Sequence, residues 1–378
     1  MDIINSNKKW INDTWEKIDK KMQKVAVRSR NKIPYTAIDG VHDDKAVTDI
    51  CWWTNGFWGG LMWLLYIDTK NEEYKTTALN AEKIMDGALK DYYGLHHDVG
   101  FMWHISSGVN YRKFGDKESR VRAIYAANCL AARFNLKGGY ITAWNGKTQQ
   151  GWTIIDSMMN IPLLYWASED SGDDRYASIA MAHADMAIRD HVREDGSVNH
   201  IVVHDHDTPE VIETLGGQGR CVGSCWSRGQ AWALYGFILS YIHTGKKEYL
   251  DTAKKVANYF IAACCDDWLP RADFRAPDEP VVYDSTAACC AACGLIEIAN
   301  NVDEFEKKTY LSAAMNILKA ADDHFCNYDE NTDYLVGYGT ERYPNDENTP
   351  GVHIPIIYAD YYFTEAIYKL RGNDFLAW

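Results

Sequence analysis

Positive charge is scarce in this chain. Lys and Arg number 39 against 53 Asp and Glu, a formal net charge of −14 over 378 residues. That balance repels phosphate backbones and anionic lipid, so neither nucleic acid nor a membrane surface is an expected partner. An anionic ligand would need a local cation to hold it. No apolar run reaches membrane-spanning length, and the start, Met1-Asp2-Ile3-Ile4-Asn5, is not a signal peptide. A cytoplasmic chain is expected, with its ten cysteines reduced. Cys221 and Cys225 have no second matching pair, so all ten are read as packing residues. His200, His204 and His206, with Asp205 and Asp207, follow no defensible metal spacing and suggest a solvated loop with one active-site His. No metal and no cofactor are expected. Low-complexity segments and domain linkers are absent. Strand signals are few, confined to 198–203 and 281–283.

Helix signals fill the rest. Ile11, Trp15, Ile18, Met22 and Val25 alternate steps of four and three, which predicts an amphipathic helix from about Ser6. A pattern then recurs: an apolar helix, a short polar turn, and a Tyr opening an Ala-rich helix. The instances are 61–66 before Tyr74, 163–168 before Tyr176, 232–242 before Tyr249 and 287–299 before Tyr310. The stretch 101–134 fits more loosely, and 361–370 reads as another fully apolar helix. About six hairpins with an inner apolar row and an outer amphipathic row can bury each other's faces by closing into a ring. The expectation is all-α: one (α/α)6 barrel over residues 1–378, with short β-hairpins in its rim loops.

Chemistry-bearing residues cluster at the predicted starts of inner helices. The stretch 151–166 reads as a buried helix containing Asp156, with Asn160 four residues on and sharing its face. Alone, it favours an N-terminal Asp answering free backbone donors. As a general acid, Asp156 would need the raised pKa that apolar surroundings confer. Asp98, in His96-His97-Asp98-Val99-Gly100-Phe101, is either a helix cap or a second active-site carboxylate. Arg228, in Trp226-Ser227-Arg228-Gly229-Gln230-Ala231-Trp232, meets the unfavourable end of a helix dipole. It calls for a fixed anion, either a protein carboxylate or a substrate carboxylate. Fourteen tryptophans, among them Trp53, Trp58, Trp103, Trp144, Trp152, Trp226 and Trp232, would make a sugar-stacking surface if gathered at one rim.

Six stretches in order resemble glycoside hydrolase family 88, the unsaturated glucuronyl hydrolases. They are Trp53-Thr54-Asn55-Gly56-Phe57-Trp58, His97-Asp98-Val99-Gly100-Phe101, Ala143-Trp144, Ile154-Ile155-Asp156 through Leu164, Trp226 through Trp232, and Asp360-Tyr361-Tyr362. The resemblance implies an (α/α)6 barrel. It also implies hydration of a 4,5-double bond in the terminal uronic acid of lyase-generated oligosaccharides. Asp156 matches the residue that protonates C4 and helps water attack C5. Asp98 matches one that binds ring hydroxyls and supports the first acid. Trp53, His200, Gln218, Arg228 and Trp232 match substrate-contacting positions, and His97 and Trp144, inside two of the markers, are counted with them. Asn55 stands where an Asp often follows Trp-Thr, and the 337–355 loop lacks the Ser/Lys pattern of sulfate-accepting members.

Three other readings stay open. An unsaturated rhamnogalacturonyl hydrolase would share toroid and chemistry but act on pectin fragments. A toroidal sugar epimerase would use His bases and leave Asp156 unexplained. A non-catalytic toroid would bind sugar without turnover. The oligomeric state and the leaving sugar are not set by the sequence.

Overall fold

The computed structural model describes residues 3–344, 346 and 349–378. The chain start and the 337–355 loop, on which two expectations rest, lie partly outside these residues.

The chain runs as α1 (Ile3–Arg28), a β1–β2 hairpin (Ala37–Ile38 with Val41–His42) and a short α2 (Lys45–Thr48). It continues as α3 (Asn55–Thr69), α4 (Glu72–Asp91), α5 (Val99–Trp103), α6 (Ser107–Phe114) and α7 (Lys117–Ala131). After a β3–β4 hairpin (Phe134–Asn135 with Tyr140–Ile141) come β5 (Trp152–Ile154), a 3-10 turn (Ile155–Met159), α8 (Pro162–Ser171) and α9 (Asp174–Asp190). Then follow β6 (Ile201–His204), β7 (Val211–Leu215), α10 (Ser227–Thr244), α11 (Lys247–Cys264), α12 (Ser285–Asn300), α13 (Glu304–His324) and α14 (Ile357–Leu370).

Two rows of helices result, because two kinds of helix sequence need different amounts of cover. Helix α10 is buried from Ser227 to Ser240 and α12 from Ser285 to Ala299, so each must be surrounded. Helix α1 buries only a stripe through Ile11, Trp15, Ile18, Met22 and Val25, and belongs outside. The polar turns carry the chain from row to row. Gly115, Gly172 and Gly245 end α6, α8 and α10 in the left-handed conformation, which glycine adopts without strain. Asn71, Asp116, Asp173 and Asp303 then accept the free amides of the outer helices α4, α7, α9 and α13.

The recurring Tyr also has a physical role. Tyr74 donates its hydroxyl to Asp19, Tyr176 to Asn128 and Tyr249 to Asp185, each residue lying on the preceding outer helix. The outer row is thereby stitched together. Ring closure uses both chain ends: α14 packs between α12 and α3, and α1 covers it from outside. The barrel is (α/α)6, its sixth hairpin made of α14 and α1. Trp378 is fully buried in its interior, stacked on Tyr362 at 5.9 Å. None of the described helices is long and apolar enough to cross a membrane.

Several expectations need correction. The stretch 151–166 is a strand, a 3-10 turn and then α8, with Pro162 at the first turn where no donor is required. Residues 281–283 form only an isolated bridge, Tyr283 to Arg271. The rim sheet is β5-β6-β7, all antiparallel, and two of its strands carried no sequence signal that was recognised. His204 is buried in β6, bonded to Asp190 at 2.9 Å and stacked on Tyr140, so the solvated loop begins only after it, at Asp205. All ten cysteines are unpaired, but Cys221 and Cys265 are exposed rather than packed.

Candidate active site

Asp156 and Asp98 come from different hairpins and meet through one side chain, Asn160. The amide nitrogen of Asn160 donates to Asp98 Oδ1 at 3.0 Å and to the Asp156 carbonyl at 3.1 Å. Its oxygen accepts the Phe101 amide at 2.8 Å, at the start of α5. This contact needs a bare backbone opposite. A Cβ on Gly100 would lie 2.5 Å from Asn160 Cα, a distance no side chain tolerates. Gly100 therefore lets the two acid-bearing segments touch.

The rim sheet places Asp156. Ile154 pairs with Ile201 across β5 and β6, and the Ile155 amide bonds to the His200 carbonyl. The strand then tightens into the 3-10 turn, and Asp156 Oδ1 faces His200 Nε2 at 3.4 Å. Asp156 is 9 % exposed and Oδ1 has no hydrogen-bond partner, so it caps nothing. The opposite ring nitrogen, His200 Nδ1, accepts the Gln218 amide at 2.9 Å. An Nδ1 that accepts leaves the proton on Nε2, which stands near Asp156 without hydrogen-bonding to it.

Asp98 sits in a drier and more crowded place. His96 Nδ1 and His97 Nε2 each stand 3.4 Å from its Oδ2. Burial, and then the nearby Asp156 charge, push the Asp98 carboxyl well above the ordinary range. Burial holds His97 well below the ordinary imidazole value and His96 down at about 4, so both rings are neutral near pH 7. His97 Nδ1 is 2.9 Å from Ser157 Oγ, which fixes its ring. His96, His97 and Asp98 converge closely enough to hold a cation, as do the half-buried Asp205 and the exposed His206 and Asp207. Their consecutive positions match no ligand spacing that sequence reading looks for.

Arg228 finds its anion inside the protein. The guanidinium is 1 % exposed, and Nη1 donates to Asp284 Oδ2 and to the Thr340 carbonyl, both at 2.6 Å. Nη2 donates to the Glu341 carbonyl at 2.7 Å, and Nε has no partner. Glu341 O also accepts from Gln218 Nε2 at 2.6 Å. A chain of contacts thus runs from Arg228 through Glu341 and Gln218 to His200 and Asp156.

The aromatic residues divide. Trp58, Trp103 and Trp232 are fully buried, with Trp232 packed on Phe101 at 5.2 Å and Tyr362 at 5.7 Å. They are barrel core, not an exposed stacking rim. Trp53, partly exposed, packs on Tyr358 at 5.0 Å, and Trp144 stands edge-on to His97 and Trp152. Trp226 lies under His200 at 4.2 Å. Sequence reading missed Asp284, Glu341, Ser157 and His96 as parts of this assembly. Asn160 carried a signal, its spacing from Asp156, that was not converted into a role.

The closed (α/α)6 ring is shared with known enzymes. The family model for Glycosyl Hydrolase Family 88 matches residues 18–267. The chain belongs to glycoside hydrolase family 88. It is 35% identical over 334 residues to the unsaturated glucuronyl hydrolase of Bacillus sp. strain GL1, covering 84% of this chain and 86% of that one. The crystal structure of the Bacillus sp. GL1 protein, described as responsible for the degradation of glycosaminoglycan, superposes with a TM-score of 0.87 at 32% identity, over 95% of this chain and 97% of that one. A variant of the Streptococcus agalactiae unsaturated glucuronyl hydrolase, complexed with dGlcA-GalNAc6S, matches with a TM-score of 0.81 at 26% identity, over 96% and 92% of the two chains. As a family 88 member the protein is a glycoside hydrolase.

Proposed function

We propose that this glycoside hydrolase releases the 4,5-unsaturated uronic acid from the non-reducing end of lyase-generated oligosaccharides, with residues 1–378 as one catalytic domain. Asp156 is the proton carrier. One observation carries this choice: in a buried site its Oδ1 is unpartnered and aimed into the space before His200. Asp98, by contrast, is engaged by Asn160.

In this reading Asp156 gives a proton to C4 of the enol ether, and positive charge develops at C5. Water adds there as its proton passes to Asp156. The resulting hemiketal collapses, releasing the next sugar and an open-chain keto acid. Asp98, protonated, donates to a ring hydroxyl. His97, His200, Gln218, Trp53 and Trp144 shape the pocket; Arg228 and Trp232 support it from behind. No metal or cofactor takes part. Action in the cytoplasm fits ten unpaired thiols.

The test is turnover in heavy water. Deuterium should appear at C4 of the keto product as the ultraviolet absorbance of the double bond disappears. Asp156→Asn should fold and lose roughly 10²–10⁴-fold in rate, the usual worth of general acid–base catalysis. Sugar release with the absorbance preserved and C4 unlabelled would mean an ordinary glycosidic displacement instead. A panel of unsaturated glycosaminoglycan and rhamnogalacturonan disaccharides assigns the leaving sugar.

A further inference from the structure

Behind the active-site wall lies a second concave site that the reaction does not use. A cavity of about 470 Å³ opens between the end of α4, α7 and the β3–β4 region, within the size range of small-ligand sites. His96 forms part of its lining, with Nδ1 turned to Asp98.

Arg133, half-buried in this cavity, is unusual for so acidic a protein. Its Nε donates to the Thr142 carbonyl at 2.8 Å and Nη1 to Asn145 Oδ1 at 2.7 Å, both neutral acceptors. Among the described residues no carboxylate lies within ion-pair distance of it. Burial lowers its pKa, and the Asp98 carboxyl, beyond ion-pair distance, offsets that only in part. The rim of the cavity is aromatic: Tyr93 is 87% exposed and Tyr92, edge-on at 6.1 Å, is 54% exposed. Tyr92 and Cys129 also line an adjoining hollow of about 490 Å³ that reaches Tyr125, itself exposed. The result is a groove with a fixed cation at one end and exposed tyrosines along it.

We infer that this groove is a non-catalytic binding site for an acidic oligosaccharide, with a uronate carboxylate on Arg133 and sugar rings against Tyr92, Tyr93 and Tyr125. A carboxylate would give this guanidinium the ion pair that its neutral acceptors do not, and a planar fork suits it. Phenol faces suit the apolar faces of sugars. The inference rests on the proposed uronide chemistry for the choice of a uronate as the acid and of the blocking ligand.

The experiment is calorimetric titration with a saturated hyaluronan tetrasaccharide, which has no 4,5-double bond to hydrate. The protein is Asp156→Asn with its cleft filled by an unsaturated chondroitin disaccharide. One tetrasaccharide per chain should bind and weaken with added salt, and cellotetraose should not bind. Arg133→Gln should cost about tenfold or more in affinity, the scale of a lost charge-assisted hydrogen bond. Should Arg133→Gln fail to fold, Tyr93→Ala, at an exposed position, carries the same expectation of weakened binding. No binding to the blocked protein, equal binding of cellotetraose, or unchanged affinity in the folded variants would overturn the inference. If the disaccharide does not bind Asp156→Asn, that failure belongs to the proposed function. The titration then runs on the unblocked protein, where the Arg133 and Tyr93 variants decide.

Discussion

Arg228→Met separates a strut from a substrate clamp. The guanidinium lies in the interior, and Asp284 opposite it is fully buried. Removing one partner of a buried ion pair costs about 3–5 kcal/mol, because the other charge is left uncompensated. Asp284 Oδ1 would keep Thr286 N, Thr286 Oγ1 and Thr340 N, but Oδ2 would lose its guanidinium. The carbonyls of Thr340 and Glu341 would each lose a charged donor. These losses place the variant at the upper end of that range. Urea unfolding at pH 7, followed by circular dichroism, reads the cost. The double variant Arg228→Met with Asp284→Asn removes the orphaned charge and should recover about 2 kcal/mol or more. Its activity should stay low, since the Glu341 carbonyl would still lack its charged donor, loosening the support of Gln218, whose amide sets the His200 tautomer. If Arg228→Met were as stable as the parent and only KM rose, the strut argument would fail and Arg228 would be a substrate ligand.

Asp98 should make stability fall with pH. Its folded pKa is raised, so folded and unfolded chains both hold the proton in acid. As pH rises past about 4, the unfolded carboxyl ionises while the folded one must keep its proton. Asp98→Asn lacks this penalty and should gain stability over the parent progressively toward neutrality; a gap that does not widen with pH refutes the assignment. Gly100→Ala forces a methyl group into the Asn160 backbone and should cost about 1–3 kcal/mol, as overpacking does, and more in activity than in stability. Parent-like turnover in that variant would show that the contact does not position the acids. Treatment with EDTA should leave turnover unchanged, because the proposed proton transfer runs through Asp156 without a metal. Inactivation reversed by added divalent metal would show instead that the cluster of His96, His97 and Asp98 binds a cation.

Much of the architecture is local, and so could be read from residue order. Whether a helix is apolar all round or on one stripe is a property of its own residues, and it sorts α10 and α12 inward and α1 outward. Turns between rows are local too: Lys70-Asn71, Gly115-Asp116 and Gly172-Asp173 each join a left-handed residue to a capping Asx. Where the reading slipped, neighbours outvoted local pattern. Trp152 to Ile154 have a helical look, yet pair with β6 because the rim supplies an edge for them. Val198 to Val203 carried a strand signal, but only pairing on both sides made it the centre of a sheet.

The site divides the same way. Asp156, Asp98 and the Trp-rich stretches were recognisable one by one, since residue type and sequence context name candidates for acids and sugar contacts. What each candidate does depends on partners far away in the chain. The anion for Arg228 is Asp284, 56 positions on, and no local rule chooses it over a substrate. The acid that burial raises is Asp98, because desolvation is set by what the whole barrel places around a group. Asn160 could be seen to share a face with Asp156, but only the close approach at Gly100 lets it hold Asp98 as well. Residue order determines which groups are available; closing the ring determines which of them are dry, which are paired, and which are left without a partner.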